Sequence, residues 1–340
     1  MARRLRAAGW SRLFARSFKA LTRSAARSGT LALKRTARPQ PVKRGAAAGA
    51  GTWIPGMAVG SAGARRFWLY RPPGASHGER LPLVVMLHGC GQDAKGFALS
   101  TRMNSVAARE GFWVLYPEQD RLANAQGCWN WFDTRSGRAQ GEAALIVNAI
   151  DQVCLLHPVD RDRVAVAGLS AGASMAALLA TRHPDRFKAV VMHSGVPPGT
   201  ADSTLSALGA MHGRRGTRPL ASSRGSDPTD WPPLLVIHGS ADHVVSAHNA
   251  QAAAEVWATA AGALALAPRR VQRGKRHAML VTDFKQRGRT AATLVEVEGL
   301  GHAWSGGAAR VPFSDAQGPD ASRLAWAFVS KQFERSDQAL

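Results

Sequence analysis

Ser170 is the residue whose surroundings most strongly indicate covalent chemistry. It lies at the centre of GLSAG (168–172), between the apolar run VAVA and an alanine-rich stretch with helical spacing. A G-x-S-x-G sequence between a strand and a helix is typical of a sharp turn that exposes the serine hydroxyl. The helix N-terminus beyond the turn favours the negative charge that develops during attack. We therefore predict that Ser170 is the nucleophile of an acyl transfer.

A serine hydroxyl is a poor nucleophile at neutral pH, so it needs a base and an acid that orients the base. In this topology the acid and then the histidine follow the serine along the chain. Asp242 lies in the loop after the apolar run 234–237, and His302 lies in a glycine-containing loop after 293–297. The sequence therefore predicts a catalytic triad of Ser170, Asp242 and His302.

Other titratable side chains lie near the same predicted strand ends: His193, His238, His243, His248, His277 and Glu298. His193 and His238 follow strands but precede Asp242 along the chain. His243 lies beside Asp242 and His248 lies on the following predicted helix. His277 lies in a predicted hairpin. The glutamate is too close to His302 in sequence to come from a separate strand. These residues are the alternatives to the predicted triad.

Acyl transfer also needs hydrogen-bond donors for the oxyanion of the tetrahedral intermediate. One donor should be the backbone N–H after the nucleophile, at Ala171. The second should come from the loop HGCGQ (88–92), where two glycines let the backbone turn inward. We predict the N–H of Cys90 as this second donor.

These residues meet only if strands and helices alternate along the chain. The predicted strands cover 67–71, 83–87, 112–116, 164–167, 189–192, 234–237 and 293–297, and the predicted helices cover 141–156, 171–182, 247–260 and 320–333. This alternation indicates an α/β fold with a mostly parallel central sheet and helices on both faces. Such sheets place functional residues at the carboxyl ends of their strands. Residues 199–230 are rich in Gly, Ser, Arg and Pro, which predicts a mobile insertion.

The charge of the chain is concentrated at its N-terminal end. Residues 1–50 contain 13 Lys and Arg and no Asp or Glu, whereas the rest carries 31 Lys and Arg against 23 acids. Hydrophobic residues make up 45% of the chain, which excludes a wholly disordered protein. The Gly- and Ala-rich stretch 45–64 is interpreted as a linker. We therefore predict a basic arm and linker over 1–60 and a catalytic domain over 61–335.

The basic arm has a pattern of its own. Over residues 3–27, apolar and aromatic side chains fall on one side of a helical projection and Arg and Lys on the other. This pattern predicts an amphipathic helix that binds a lipid-coated or anionic surface. A solvated basic tail is the alternative, and nucleic acid is the less favoured partner. No stretch of the chain predicts a membrane span, and none resembles a secretion signal.

Three cysteines, Cys90, Cys128 and Cys154, are too few for a disulfide scaffold and lack the spacing of a zinc site. The simplest interpretation is that they are reduced thiols, because disulfides rarely persist in the cytosol. We therefore expect a cytoplasmic protein without a metal or organic cofactor.

Five separated motifs resemble the polyhydroxybutyrate depolymerase family of esterases, which are α/β-hydrolases related to feruloyl and acetylxylan esterases. They are LPLVVMLHGCGQDAKGF, CWNWFD (128–133), GLSAGASMA (168–176), VIHGSADHVV (236–245) and GLGHAWSGG (299–307). The resemblance covers about residues 65–333. It implies the triad named above, with Cys90 at the oxyanion hole. Because Cys90 and Cys128 both lie in these motifs, a disulfide between them is the alternative to reduced thiols.

The resemblance implies hydrolysis of polyhydroxybutyrate or 3-hydroxybutyrate oligomers. From the basic arm and the lack of a recognisable secretion signal we expect an intracellular enzyme, with residues 3–27 holding it to polyester granules. Trp129, Trp131 and Trp304 lie on predicted loops, where they are expected to form an apolar surface for the substrate, with ordinary packing as the alternative. A feruloyl or acetylxylan esterase would use the same triad on a different ester. A granule-, membrane- or nucleic-acid-binding protein without activity is the alternative of another class.

Overall fold

The computed structural model describes residues 51–75, 78–217 and 231–337. The strands are β1 (Thr52–Gly60), β2 (Gly63–Arg71), β3 (Leu81–Leu87), β4 (Trp113–Pro117), β5 (Val159–Leu169), β6 (Ala189–His193), β7 (Leu234–Gly239), β8 (Leu264–Ala265), β9 (Arg269–Val271), β10 (Met279–Gln286), β11 (Arg289–Val297), β12 (Trp304–Ser305) and β13 (Ser314–Asp315). An eleven-stranded sheet has the order β1-β2-β4-β3-β5-β6-β7-β11-β10-β8, and β9 pairs with β10. Strands β12 and β13 form a separate parallel pair.

The middle of the sheet is parallel and its margins are antiparallel. The pairs β3–β4, β3–β5, β5–β6, β6–β7 and β7–β11 are parallel. The pairs β1–β2, β2–β4 and β10–β11 are antiparallel. The carboxyl ends of β3, β5, β7 and β11 therefore meet at one edge, as the predicted site requires.

The helices are α1 (Ala94–Thr101), α2 (Met103–Glu110), α3 (Arg138–Leu156), α4 (Ala171–Arg182), α5 (Thr204–Met211), α6 (His248–Ala260) and α7 (Ala321–Asp337), with a 3-10 turn at Pro184–Arg186. Buried residues of α3, α4 and α6 belong to one hydrophobic core cluster, and those of α1, α2 and α7 belong to a second. The sheet lies between the two clusters. The predicted fold class, an α/β fold with helices on both faces, is confirmed.

The central strands are continuous apolar runs because both of their faces are covered. Every residue of β3 is buried, with Leu83, Val85 and Leu87 in one core cluster and Val84 and Met86 in the other. Successive side chains of a strand point to opposite faces, so a two-sided core requires apolar residues at every position. The predicted strands and helices are all present, with bounds that differ by a few residues.

Two interpretations of the chain between these elements are wrong. Residues 52–60, assigned to a linker within the 1–60 segment, form β1, which pairs with β2 along its whole length. The expectation of a mobile insertion over 199–230 is wrong for 204–211, which form α5 with Ala207, Ala210 and Met211 buried. Residues 218–230 lie outside the described residues. The predicted amphipathic helix over 3–27 lies outside the described residues. None of the helices that the structure describes is long and apolar enough to cross a bilayer.

The pairing of β1 predicts that the folded domain begins near residue 51 and not at 61. We expect a chain that starts at residue 61 to melt at least about 5 °C below one that starts at residue 51, because lost contacts worth about 2 kcal/mol shift the melting temperature of a domain this size by several degrees. Trp53 of β1 packs against Trp68, Tyr70 and Tyr116. Thermal unfolding followed by circular dichroism measures the difference, and equal melting temperatures would contradict the packing role of β1.

Candidate active site

Ser170 occupies a sharp turn between the end of β5 and the start of α4. Its φ of 56° and ψ of −121° lie in a strained region for a residue with a side chain. The flanking glycines are required by space: a Cβ at Gly168 would lie 2.3 Å from the carbonyl carbon of Gly172, and one at Gly172 would lie 2.1 Å from the carbonyl oxygen of Leu87. The predicted turn is therefore present, with Ser170 at its apex.

Asp242 and His302 are joined by a short hydrogen bond, although 60 residues separate them in sequence. Nδ1 of His302 donates to Oδ2 of Asp242 at 2.7 Å. The other carboxylate oxygen accepts the backbone N–H groups of Val244 and Val245, each at 2.9 Å. These contacts fix the carboxylate and place the proton of His302 on Nδ1, so that Nε2 is left able to accept a proton.

Burial alone would raise the pKa of Asp242, because it disfavours the charged carboxylate. The charge of His302 and hydrogen bonds from His238 and His302 outweigh that effect and hold the pKa of Asp242 well below its ordinary value. Asp242 is therefore an anion at any pH near neutrality. A fixed negative charge at this position stabilises a positively charged His302.

His193 connects the Ser170 turn to the loop that carries His302. Its carbonyl oxygen accepts the N–H of Ser170 at 2.8 Å, and its Nε2 accepts the N–H of Ser305 at 3.1 Å. Its ring also stacks on Trp304, with ring centroids 5.0 Å apart. Burial, helped by His238 and His302, lowers the pKa of His193 to about 3. His193 is thus a neutral bridge between the two loops.

His238 is a second histidine close to the Asp242 carboxylate. Its Nε2 donates to the carbonyl oxygen of Val245 at 2.9 Å and lies 3.4 Å from Oδ2 of Asp242. Glu298, the other acid considered for this role, is exposed and pairs with Arg270 at 2.9 and 3.0 Å. Of the two acids, only Asp242 is placed to orient His302.

Two backbone N–H groups next to Ser170 are free to donate. Neither Cys90 nor Ala171 gives its N–H to another residue in the described ranges. The adjacent donors are engaged, since Gly89 donates to the side chain of Gln92 at 2.9 Å and Gly91 to the carbonyl of Gln126 at 2.9 Å. Both free groups belong to residues that line the same cavity as Ser170. This arrangement suits an oxyanion hole.

Cys90 and Cys128 form a disulfide, with Cα atoms 4.3 Å apart. The expectation of three reduced thiols is therefore wrong for this pair, and Cys154 is the free cysteine. The bond ties the loop after β3 to the segment that follows β4. The bond thus holds in place the cysteine whose backbone N–H is free to donate.

The three tryptophans of the motifs are buried and do not form an exposed surface, and their role in substrate binding stays a prediction. Trp129, Trp131 and Trp304 are 0%, 7% and 0% exposed. Trp304 packs edge-on against Phe97 and donates through Nε1 to the hydroxyl of Ser322. Trp129 and Trp131 instead line a cavity beside Ser170. Ordinary packing, the alternative interpretation, describes Trp304.

An apolar cavity with about 370 Å³ of empty space adjoins Ser170. Its walls include Trp129, Trp131, Val196 and Met211, together with the disulfide. Within the ranges that the structure describes, no group of three or more His, Cys, Asp or Glu side chains is placed to hold a metal ion. The site is therefore a serine hydroxyl beside an apolar cavity, with an oriented histidine on a neighbouring loop.

Glu142 on α3 is a positioning residue that sequence reasoning missed. Its buried carboxyl accepts Nε2 of Gln119 at 2.8 Å, Nδ2 of Asn130 at 2.6 Å and the N–H of Asn130 at 2.9 Å. Gln119 also donates to the carbonyl of Cys128 at 2.9 Å, and Arg65 lies 3.9 Å from the carboxyl. Glu142 therefore fixes the segment that carries Trp129 and Trp131. A single glutamate in a helical pattern gave no signal of this role.

The parallel sheet and the serine turn at its carboxyl edge define an α/β-hydrolase fold. An acetyl xylan esterase from Aspergillus awamori has the same fold, with a TM-score of 0.59 at 19% identity over 74% of this chain and 94% of that one. The chain belongs to the esterase PHB depolymerase family, whose model matches residues 65–276. This is a family of carboxylic ester hydrolases.

Two relatives illustrate the range of that family. Poly(3-hydroxyalkanoate) depolymerase C of Paucimonas lemoignei is 36% identical over 177 residues, which are 49% of this chain and 42% of that protein. Feruloyl esterase B of Neurospora crassa is 28% identical over 197 residues, which are 53% of this chain and 65% of that protein. The chain thus matches less than two thirds of the length of either relative.

The Glu142 contacts predict a specific loss of stability. We expect Glu142→Gln to lower the free energy of unfolding by about 2–3 kcal/mol, because the amide turns a donor towards Gln119 and Asn130 and leaves buried donors unpaired. Urea unfolding measures the change. Glu255→Gln is the matched control: Glu255 is an exposed residue of α6 that accepts a hydrogen bond from Gln251, and its substitution should change stability by less than about 0.5 kcal/mol. Equal effects of the two substitutions would contradict the role of Glu142.

Proposed function

We propose that this protein is a serine esterase that cleaves its substrate through an acyl-enzyme. The observation that carries the proposal is the 2.7 Å hydrogen bond from His302 to Asp242, at the sheet edge where the strained turn presents Ser170. A nucleophile, a base and an orienting acid from three separate loops are the parts that ester hydrolysis needs. Family membership supports the same reaction.

In the proposed mechanism, Oγ of Ser170 attacks the ester carbonyl and its proton passes to Nε2 of His302. The N–H groups of Cys90 and Ala171 bind the oxyanion of the tetrahedral intermediate. His302 then gives the proton to the leaving alcohol, and the acyl group stays on Ser170. A water molecule repeats the sequence on the acyl-enzyme and releases the carboxylic acid. Asp242 holds the imidazole and stabilises its charged form throughout.

We propose polyhydroxybutyrate or 3-hydroxybutyrate oligomers as the substrate class. The first relative supports this choice, since its name states that it is a poly(3-hydroxyalkanoate) depolymerase. The apolar cavity beside Ser170 also suits an aliphatic acyl group. Association with polyester granules through residues 3–27 remains a prediction, because those residues lie outside the described part of the chain.

The Cys90–Cys128 disulfide argues against the cytoplasmic location expected from the sequence. Disulfides persist in oxidising compartments and are rare in the reducing cytosol. We therefore favour an oxidising compartment as the place where the enzyme works. This leaves the proposed chemistry unchanged and moves the substrate outside the cytosol.

The proposed triad predicts the effect of single substitutions. We expect Ser170→Ala, Asp242→Ala and His302→Ala each to lower kcat/KM for p-nitrophenyl butyrate at least about 10³-fold, because the three residues act as one unit. A fluorophosphonate probe should label the native protein and leave Ser170→Ala unlabelled. His243→Ala is the matched control, since His243 is an exposed neighbour of Asp242, and its activity should be unchanged.

Each outcome has a distinct meaning. Near-normal turnover in any of the triad variants would remove that residue from the mechanism. Absence of fluorophosphonate labelling in the folded native protein would favour a binding protein without activity. Release of 3-hydroxybutyrate from amorphous granules, compared with hydrolysis of methyl ferulate, tests the substrate class. Faster hydrolysis of the ferulate ester would overturn the polyester proposal and leave the esterase proposal standing.

The disulfide predicts the number of titratable thiols. The denatured protein should react with one equivalent of Ellman's reagent through Cys154, and with three equivalents after reduction, because the chain contains three cysteines in all. Protein made in an oxidising compartment is the relevant sample. Three free thiols before reduction would contradict both the disulfide and the location argued from it.

A further inference from the structure

The cavity beside Ser170 has one wall that the reaction itself does not require. Helix α5 contributes Ala207 and Met211 to the lining, which also includes Trp129, Trp131 and Val196. Both α5 residues are buried. The helix belongs to the connection between β6 and β7, and neither the nucleophile nor its partners lie on it. It can therefore set the shape of the cavity independently of the chemistry.

The α5 wall is fixed in place by the loop that carries Asp242. The carbonyl of Met211 accepts the N–H of Ser246 at 2.7 Å. Nδ2 of the buried Asn249 donates to the carbonyls of Ala210 and Met211, at 3.0 and 3.3 Å. Because its last turn is bonded to the segment just after Asp242, α5 keeps a fixed distance from Ser170. A cavity with a rigid wall discriminates by size.

Apart from Ser170 and the two free backbone N–H groups beside it, the polar groups of Ser174 and Trp129 in the cavity lining are bonded within the protein. Ser174 accepts the N–H of Val196 at 2.8 Å and donates to the carbonyl of Ser170 at 3.4 Å. The indole N–H of Trp129 donates to the carbonyl of His88 at 3.1 Å. Neither side chain has a donor left for a bound acyl group. The phenolic hydroxyl of a feruloyl group buried here would lose its bonds to water without replacing them, which is costly.

The size of the cavity also favours an aliphatic acyl group over an aromatic one. Its empty space of about 370 Å³ includes the part that is open to solvent, so the space enclosed beside Ser170 is small. A short aliphatic chain fits such a space, and its burial against Trp131 and Met211 is favourable. A longer chain or an aromatic ring would have to displace the α5 wall.

We propose that this cavity is the acyl site, that it accepts short aliphatic acyl groups in preference to aromatic ones, and that Ala207 and Met211 determine the longest chain it takes. The inference rests on the proposed esterase activity. It names two specificity-determining residues on a helix that contributes no group to the reaction. It also predicts that the enzyme prefers aliphatic polyesters to feruloyl esters, two substrate classes that both occur among its relatives.

The test is a chain-length profile, measured as kcat/KM for p-nitrophenyl acetate, butyrate, hexanoate and octanoate, with methyl ferulate as the aromatic ester. The native enzyme should be most active on acetate or butyrate and at least about tenfold slower on octanoate. Ala207→Phe should lower the hexanoate-to-acetate ratio at least about tenfold, and Met211→Ala should raise it about three- to tenfold. Changes of one or two methylenes in an apolar pocket have effects of this size.

Leu205 supplies the matched controls on the same helix. It is 67% exposed, so Leu205→Ala removes as many side-chain atoms as Met211→Ala but outside the cavity, and Leu205→Phe places a phenylalanine on the same helix outside the cavity; both should leave the profile unchanged. The proposal is supported if the hexanoate-to-acetate ratio falls in Ala207→Phe, rises in Met211→Ala and stays unchanged in both Leu205 variants. If Ala207→Phe does not fold, the shift in Met211→Ala decides alone.

The outcomes separate this inference from the proposed function. A native enzyme that reacts with the fluorophosphonate probe, but whose profile is the same in Met211→Ala and in Leu205→Ala, overturns the acyl-site assignment and leaves the esterase proposal intact. Preference for methyl ferulate over p-nitrophenyl butyrate also overturns it. A folded native protein that neither reacts with the probe nor hydrolyses any ester removes the proposed function, and the inference falls with it.

Discussion

The close approach of the turn at 168–172 to the end of β3 is the constraint on which the rest of the site depends. The backbone at Gly172 lies so near the carbonyl of Leu87 that no side chain fits between them. This contact brings the first turn of α4 against the loop after β3, and so places the free N–H groups of Cys90 and Ala171 around one space. It also forces Ser170 into a backbone conformation that residues with side chains rarely adopt.

Buried polar contacts hold the remaining loops around that turn. His193 joins the turn to the His302 loop, and Asp242 joins that loop to the end of β7. Glu142 bonds to Asn130 and so fixes the segment that carries Trp129 and Trp131. Each polar group is buried, so each is held by hydrogen bonds whose loss would be costly. The loops are consequently positioned by a connected set of bonds, and apolar packing supplies the cavity between them.

The strands, and the loops that carry Ser170, Asp242 and His302, could be inferred from sequence because each depends on local information. Strands buried on both faces are continuous apolar runs, and the residues after them mark the sheet edge. Strand β1 was missed because its proline and glycines resemble a linker, yet a Cβ at Gly56 would collide with the ring of Phe67 on β2. The burial of Trp304 and the role of Glu142 depend on residues far away in sequence, such as Phe97 and Asn130. No periodicity along the chain contains that information.

The disulfide closes a covalent ring that has a consequence for the unfolded chain. The bonded cysteines are 38 residues apart, and the ring between them contains α1, α2 and β4. A closed ring of this length has far fewer conformations than an open chain, which disfavours the unfolded state by about 4 kcal/mol in the chain-entropy account. The disulfide also keeps the loop that carries Cys90 and the segment that carries Trp129 and Trp131 together during any partial opening of the domain. In the disulfide-bonded unfolded chain, Cys90 and Cys128, which both line the cavity, are therefore already adjacent when refolding begins.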